Sequence, residues 1–213
     1  MNAVREFSDV SAEPRIRGFL HEPAQPNGCA LVLTHGAGAN CQSKLLTAVA
    51  SAFADAGYLV LRCDLPFRQS RPFGPPFPAM AERDREGLRR AVEALRPLAT
   101  GKIFLGGHSY GGRQASMLAA EKPGLIDALL LLSYPLHPPN KPDQLRSAHF
   151  PKLHTPALFI QGERDPFATP AEIRDALTLI PVRTKLIHIA KAGHDLKSYG
   201  WIESVATALE QIL

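Results

Sequence analysis

Short apolar runs that alternate with longer amphipathic stretches constrain the fold of this chain more than any other feature. Six runs are almost continuously hydrophobic, which is typical of strands covered on both faces of a parallel sheet. These predicted strands are residues 29–34, 58–62, 102–105, 128–133, 157–161 and 185–189. A weaker run at residues 15–20 predicts one more strand, paired antiparallel at an edge of the sheet.

The stretches between these strands carry apolar residues at helical spacing. In residues 44–56, for example, Leu45, Val49 and Phe53 recur every four positions and predict one buried helix face. The predicted helices are residues 44–56, 79–95, 109–121, 170–177 and 201–213. Strand-helix alternation over 213 residues predicts one α/β domain spanning residues 1–213, a doubly wound, mostly parallel sheet of about six to eight strands with helices on both faces.

Two proline-rich segments interrupt the alternation, and the general composition narrows the function. Residues 66–78 and 135–142 are rich in proline, so we expect irregular structure there and neither a helix nor a central strand. The net charge is +4 without a long run of like charges, which predicts no nucleic-acid partner. No apolar run is long enough to span a bilayer, so we expect no membrane insertion. Three cysteines without C-x-x-C spacing favour reduced thiols in a cytoplasmic protein. The sequence leaves both a monomer and a dimer open.

The residues that carry chemistry follow the predicted strands directly. In doubly wound sheets the ligand site lies at the carboxyl ends of the strands. Gly107-His108-Ser109-Tyr110-Gly111 follows one strand and matches G-x-S-x-G, the pattern of a strained turn that presents a serine. Asp165 and His194 follow the fifth and sixth strands. Their order along the chain, Ser, Asp, His, predicts a catalytic triad.

Each residue type has a chemical reason to be there. The hydroxyl of Ser109 is a weak nucleophile and needs a base, which His194 supplies, while Asp165 orients the imidazole. Glu163 remains an alternative acid. The backbone N–H groups of Tyr110 and Ala37 are the predicted oxyanion donors.

Further residues are expected to line the site. The prediction includes His35, Gly36 and His108, with Tyr134 and Arg68 at its border. Arg68 is interpreted either as a group that attracts an anionic substrate or as an ordinary surface arginine.

Metal and dinucleotide sites are not predicted. The sequence Gly36-Ala37-Gly38 resembles the start of a dinucleotide-binding loop, but Cys41 stands where the third glycine belongs. No H-E-x-x-H motif is present. We therefore predict no cofactor and no metal.

Five segments of the chain resemble the α/β-hydrolase superfamily: LTHGAGAN at 33–40, GGHSYGGR at 106–113, SYPLHPP at 133–139, GERD at 162–165 and KAGHDL at 191–196. Within it, the chain is similar to the small branch that contains testis-expressed protein 30 and the hydrolase-like third subunit of the NSL histone-acetyltransferase complex. The resemblance implies an eight-stranded type of sheet and a cofactor-free hydrolase.

The spacing of the motifs also bears on the shape of the site. Only about two dozen residues separate the predicted strands 128–133 and 157–161, too few for a large cap domain. We expect an open site on a serine hydrolase that cleaves a small-molecule ester or thioester through an acyl-enzyme on Ser109. A non-catalytic interaction module and a peptidase-type serine hydrolase are the alternatives.

Overall fold

An eight-stranded sheet forms the centre of the computed structural model, which describes residues 1–197 and 199–213. The strands are β1 (Ala3–Asp9), β2 (Ile16–Glu22), β3 (Ala30–Thr34), β4 (Leu59–Cys63), β5 (Ile103–His108), β6 (Ala128–Leu132), β7 (Ala157–Gly162) and β8 (Thr184–Ile189). Their order is β1-β2-β4-β3-β5-β6-β7-β8. The first two strands pair antiparallel and the remaining six are parallel.

Helices cover both faces of this sheet. They are α1 (Lys44–Asp55), α2 (Pro66–Ser70), α3 (Ala81–Leu95), α4 (Tyr110–Glu121), α5 (Pro170–Leu177) and α6 (Val205–Glu210), with short 3-10 turns at Pro78–Met80, Arg96–Leu98, Phe150–Lys152 and Tyr199–Ser204. Buried side chains of α3, α4 and α5 belong to one core cluster, and those of α1 and α6 belong to the other. The predicted doubly wound α/β fold without a large cap is therefore confirmed. No helix in the described residues is long and apolar enough to cross a membrane.

The alternating direction of side chains along each strand explains why the parallel strands are apolar throughout. In β3, Leu31 and Leu33 belong to one core cluster while Val32 belongs to the other. Both faces of the strand are covered, so every position contributes apolar burial. The strands are also in register at their carboxyl ends, where Thr34 pairs with Gly107 and Gly162 pairs with Ile189. This alignment brings the loops after β3, β5, β7 and β8 to one edge.

Three segments differ from the prediction. The edge strand β1 was not predicted, because its sequence AVREFSD is charged and mostly exposed. Residues 66–70 form a helix despite Pro66, since proline is tolerated in the first turn, where a backbone N–H has no partner in the helix. The predicted helix at 201–213 begins instead as a 3-10 turn and continues as the shorter α6.

Candidate active site

Ser109 lies in the sharp turn between β5 and α4, with φ of 51° and ψ of −116°. A residue with a side chain held in this region costs roughly 1–3 kcal/mol unless its surroundings hold it there. The two flanking glycines make the turn possible. A Cβ at Gly107 would lie 2.6 Å from the carbonyl carbon of Gly111, and a Cβ at Gly111 would lie 2.5 Å from the backbone oxygen of His35. Steric contacts thus explain the G-x-S-x-G pattern.

His194 lies in the loop after β8 and contacts both Ser109 and Asp165. Its Nε2 is 2.8 Å from Oγ of Ser109, and its Nδ1 is 2.8 Å from Oδ2 of Asp165. An ionised carboxylate only accepts hydrogen bonds, so Nδ1 carries the proton and Nε2 accepts from the Ser109 hydroxyl. The ring packs on Phe167 with centroids 4.3 Å apart, and Nε2–H of His108 donates to the backbone oxygen of His194 at 2.8 Å. These contacts hold the imidazole in place.

Asp165 is buried and accepts hydrogen bonds from several donors. Besides the bond from His194, its Oδ2 accepts from Nε2 of Gln161 and its Oδ1 accepts from the N–H of Phe167, both at 2.9 Å. The amide of Gln161 is oriented in turn, since its Oε1 accepts from the N–H of Tyr134 at 2.9 Å. These hydrogen bonds hold the carboxylate in one orientation towards His194.

Glu163 and the other histidines are the alternatives to Asp165 and His194. Oε2 of Glu163 accepts from the N–H of Lys191 at 2.8 Å, and in the described residues no hydrogen bond or ion pair joins Glu163 to His194. Among the described residues, no histidine other than His194 is hydrogen-bonded to Ser109. His188, for example, lies in the edge strand β8, and neither of its ring nitrogens has a partner in the described part of the chain.

The loop after β3 lies against the serine turn. Its first residue, His35, is fully buried; Nδ1–H donates to the backbone oxygen of Gly36 at 2.9 Å, and Nε2 accepts from the N–H of Leu65 at 3.1 Å. Burial lowers the pKa of His35, which keeps the ring neutral. A Cβ at Gly36 would lie 3.4 Å from Cβ of Ser109. His35 therefore supports the loop from behind, and Gly36 contacts the serine turn.

Arg68 holds the same loop to the proline-rich segment. Its guanidinium donates to the backbone oxygens of Ala37 at 2.6 Å, Ala39 at 2.8 Å and Gly74 at 3.0 Å. The residue is only 7% exposed. Both interpretations of Arg68 in the sequence therefore need correction, because its donors are used by backbone carbonyls and it is not a surface side chain.

Tyr134 is also placed differently from the prediction. It is fully buried, and its ring packs against Phe150 and Phe159 in the core. Its hydroxyl donates to the backbone oxygen of Arg146 at 2.8 Å. Tyr134 thus supports Gln161 and Arg146 from within the core and does not border the site, because its neighbours leave the ring no exposure.

A groove of about 520 Å³ opens beside Ser109. Ala37 and Tyr110 line it, and the N–H of neither residue donates to another residue that the structure describes. The other lining residues are Pro75, Pro76, Phe77, Pro78, Ala81, Arg113, Gln114, Met117, Pro135, Arg146 and Phe167. The groove thus combines an apolar wall with two arginines.

Several of these site residues were not singled out in the sequence. Gln161 and Phe167 contact Asp165, and Arg113 and Arg146 line the groove. Only Gln161 gives a signal in the sequence, since it is a polar residue at the end of an otherwise apolar strand. Within the described residues, no group of three or more His, Cys, Asp or Glu side chains is placed to hold a metal ion. The three cysteines are free thiols.

A family model supports the assignment of the fold to a known class. A model described as an alpha/beta hydrolase domain matches residues 27–209. The match covers most of the chain, including the turns that carry Ser109, Asp165 and His194. The chain therefore belongs to the α/β-hydrolase family.

Solved structures show the same fold. The dienelactone hydrolase from Anabaena variabilis ATCC 29413 is 24% identical with a TM-score of 0.78, and the match covers 99% of this chain and 96% of that one. Est1E from Butyrivibrio proteoclasticus is 16% identical with a TM-score of 0.73, covering 97% and 96%. XC6422 from Xanthomonas campestris, an α/β serine hydrolase without a lid, is 18% identical with a TM-score of 0.69, covering 99% and 92%. At these identities the similarity establishes the fold alone.

Proposed function

We propose that this protein is a serine hydrolase that cleaves an ester or thioester through an acyl-enzyme on Ser109. The observation that carries the proposal is the hydrogen-bonded series from Ser109 through His194 to Asp165, with 2.8 Å at both steps. It lies at the carboxyl edge of the sheet and opens onto the groove.

The first half-reaction transfers the acyl group to the serine. Oγ of Ser109 attacks the substrate carbonyl carbon while Nε2 of His194 takes the hydroxyl proton. Asp165 stabilises the resulting imidazolium through the bond to Nδ1. The proton then passes from Nε2 to the leaving oxygen or sulfur as its bond to the carbonyl carbon breaks. In the second half-reaction, water takes the place of the serine hydroxyl and releases the acid.

In both half-reactions, negative charge develops on the substrate carbonyl oxygen and requires hydrogen-bond donors. We assign this role to the N–H groups of Ala37 and Tyr110. Two observations support the assignment: both residues line the groove with Ser109, and neither N–H is used by another described residue. The start of α4 adds a favourable dipole at Tyr110. Arg68 contributes by holding the carbonyl of Ala37 and so fixing the loop.

The volume of the groove bears on the size of the substrate. About 520 Å³ is within the range of sites that take small molecules, so we propose small-molecule substrates. The resemblance of residues 34–38 and 133–137 to the branch containing testis-expressed protein 30 belongs to the same proposal. The assay below also separates two other outcomes, hydrolysis of peptides and hydrolysis of esters without thioesters.

Covalent labelling tests the proposal directly. We expect a fluorophosphonate probe to label the wild-type protein on the peptide containing Ser109, and we expect Ser109→Ala to abolish labelling. Ser51→Ala serves as the matched control, because Ser51 is exposed on α1, far along the chain from the site. A folded wild-type protein without label would refute the proposal. Aryl esters, aryl thioesters and peptide anilides then rank the three bond types by kcat/KM.

A further inference from the structure

Two arginines line the groove beside Ser109 without an acidic partner. Arg113 and Arg146 both contribute to its wall, and no carboxylate in the described residues forms an ion pair with either. Nε of Arg113 is buried and has no hydrogen-bond partner among the residues that the structure describes. Among the described residues, the side chain of Arg146 donates only a long bond of 3.4 Å, from Nη1 to the backbone oxygen of Pro135. Buried or half-buried guanidinium groups in proteins are normally paired.

The positive charge acts on the surrounding groups. Burial and the nearby Arg113 lower the pKa of Arg146. Burial, Arg113 and Arg85 lower the pKa of His149 to about 4, so this neighbouring ring is neutral. Two like charges that line one groove repel each other, and an anion between them would offset that repulsion. The groove therefore offers a site whose charge calls for a negatively charged ligand.

A buried amide adds a third donor. Gln114 is fully buried and lines the groove. Its Oε1 accepts from Nη1 of Arg85 at 3.2 Å, which places the NH₂ group at the other end of the amide. This Nε2 is buried without a partner. An unpaired buried donor costs roughly 1–3 kcal/mol, which a ligand oxygen would offset.

We propose that Arg113, Gln114 and Arg146 form an anion subsite that binds a carboxylate of the substrate. This inference rests on the proposed function and narrows its substrate class to esters or thioesters that carry a carboxylate. Arg113 follows Ser109 by four residues on α4, so its backbone lies about 6 Å further along the helix axis. A planar guanidinium matches both oxygens of a carboxylate. Phe77, Met117 and Pro135 supply an apolar wall for the hydrocarbon part of the substrate.

Matched pairs of esters test the subsite. On the acyl side, phenyl half-esters of dicarboxylic acids from succinate to suberate are compared with phenyl esters of the corresponding neutral acids, after subtraction of uncatalysed hydrolysis. On the leaving-group side, 4-carboxyphenyl hexanoate is compared with phenyl hexanoate. The quantity measured is the ratio of kcat/KM for the charged ester to that for the neutral ester. We expect the wild-type protein to prefer the charged ester of at least one pair.

The variants remove one charge at a time. We expect Arg113→Gln and Arg146→Gln each to lower this ratio roughly ten- to hundredfold, the effect of losing a hydrogen bond to a charged group. Arg174→Gln removes the same charge from an exposed position on α5 outside the groove, and we expect it to leave both rates unchanged. A wild-type ratio at or below one on both sides, or equal ratios in wild type and Arg113→Gln, would overturn the carboxylate subsite.

Binding to an inactive protein separates this inference from the proposed function. We expect adipate to bind to Ser109→Ala in calorimetric titration, and to bind at least tenfold more weakly when Arg113→Gln is added. If adipate binds in this way but the wild-type protein hydrolyses no ester, the proposed function fails and the subsite stands. If neutral esters are hydrolysed through Ser109 and adipate does not bind, the subsite fails and the proposed function stands.

Discussion

Replacing Asp165 by asparagine tests the orientation of the histidine with almost no change in side-chain shape. Asp165 now accepts three hydrogen bonds, from His194, Gln161 and Phe167. An asparagine has one acceptor oxygen and one NH₂ group. The backbone N–H of Phe167 can only donate, so the amide oxygen faces it and the NH₂ faces Nδ1 of His194 and Nε2 of Gln161. The imidazole then moves its proton to Nε2, where it can no longer accept from Ser109.

These contacts set the size of the loss in activity and of the loss in stability. Loss of the correct tautomer lowers kcat/KM by about 10⁴-fold, or roughly 5 kcal/mol of transition-state stabilisation. One buried donor left without an acceptor costs about 1–3 kcal/mol of folding free energy. In a chain of this size that cost lowers Tm by roughly 2–10 °C. Activity therefore falls far more than stability does.

The assay is ester hydrolysis by Asp165→Asn, with thermal unfolding measured on the same sample. Glu163→Gln is the matched control, because it makes the same chemical change two residues away at an exposed side chain that contacts only the N–H of Lys191 among the described residues. We expect the control to retain its activity within about twofold. Tenfold or smaller loss in Asp165→Asn, together with a large loss in Glu163→Gln, would show that the acid is misassigned.

Three further predictions concern the loop that Arg68 holds, the reactivity of the cysteine thiols and the dependence of stability on pH. Arg68→Met removes the donors that hold the loop after β3. We expect the free energy of unfolding, measured in urea, to fall by roughly 2–4 kcal/mol and kcat to fall as well. An unchanged kcat would refute the supporting role. Burial raises the pKa of Cys41 to about 12, so a thiol reagent at pH 8 should modify partly exposed Cys29 first and Cys41 only after unfolding. Burial lowers the pKa of His108 from 6.5 to about 4. Because the unfolded state then binds more protons, stability should fall by up to about 1.4 kcal/mol per pH unit for this group as the pH drops from 6.5 towards 4, measured by urea titration at each pH.

The parts of the fold that could be predicted are those with strong burial on both faces. All six apolar strands are confirmed, and most of their ends agree within a residue. The strand β5 is the exception, because it continues through Gly106 and Gly107 to His108, where a run of glycines gave no apolar signal. The edge strand β1 was missed for a similar reason. It pairs along its whole length with β2 but faces solvent, so backbone hydrogen bonds hold it without any apolar pattern.

The candidate site could be predicted only where the chain itself places a residue at the end of a strand. Ser109, Asp165 and His194 lie there, and their positions follow from the topology. Arg146 belongs to the irregular stretch before the 3-10 turn Phe150–Lys152, where its backbone is hydrogen-bonded to Tyr134 and Leu136. Contacts of that kind are made in three dimensions, so neither spacing nor periodicity along the sequence gives them.

Two features that cost folding free energy occur within one turn of α4. Ser109 is held at a positive φ, and Arg113 forms no ion pair with any carboxylate in the described part of the chain. Neither improves the packing of the helix, since its buried face is made by Gln114, Ala115 and Leu118 among others. A helix optimised for stability alone would have glycine at the first position and an apolar or paired residue at the second. The strained serine and the unpaired arginine share the groove that they line, and this common location supports reading both as parts of one substrate site.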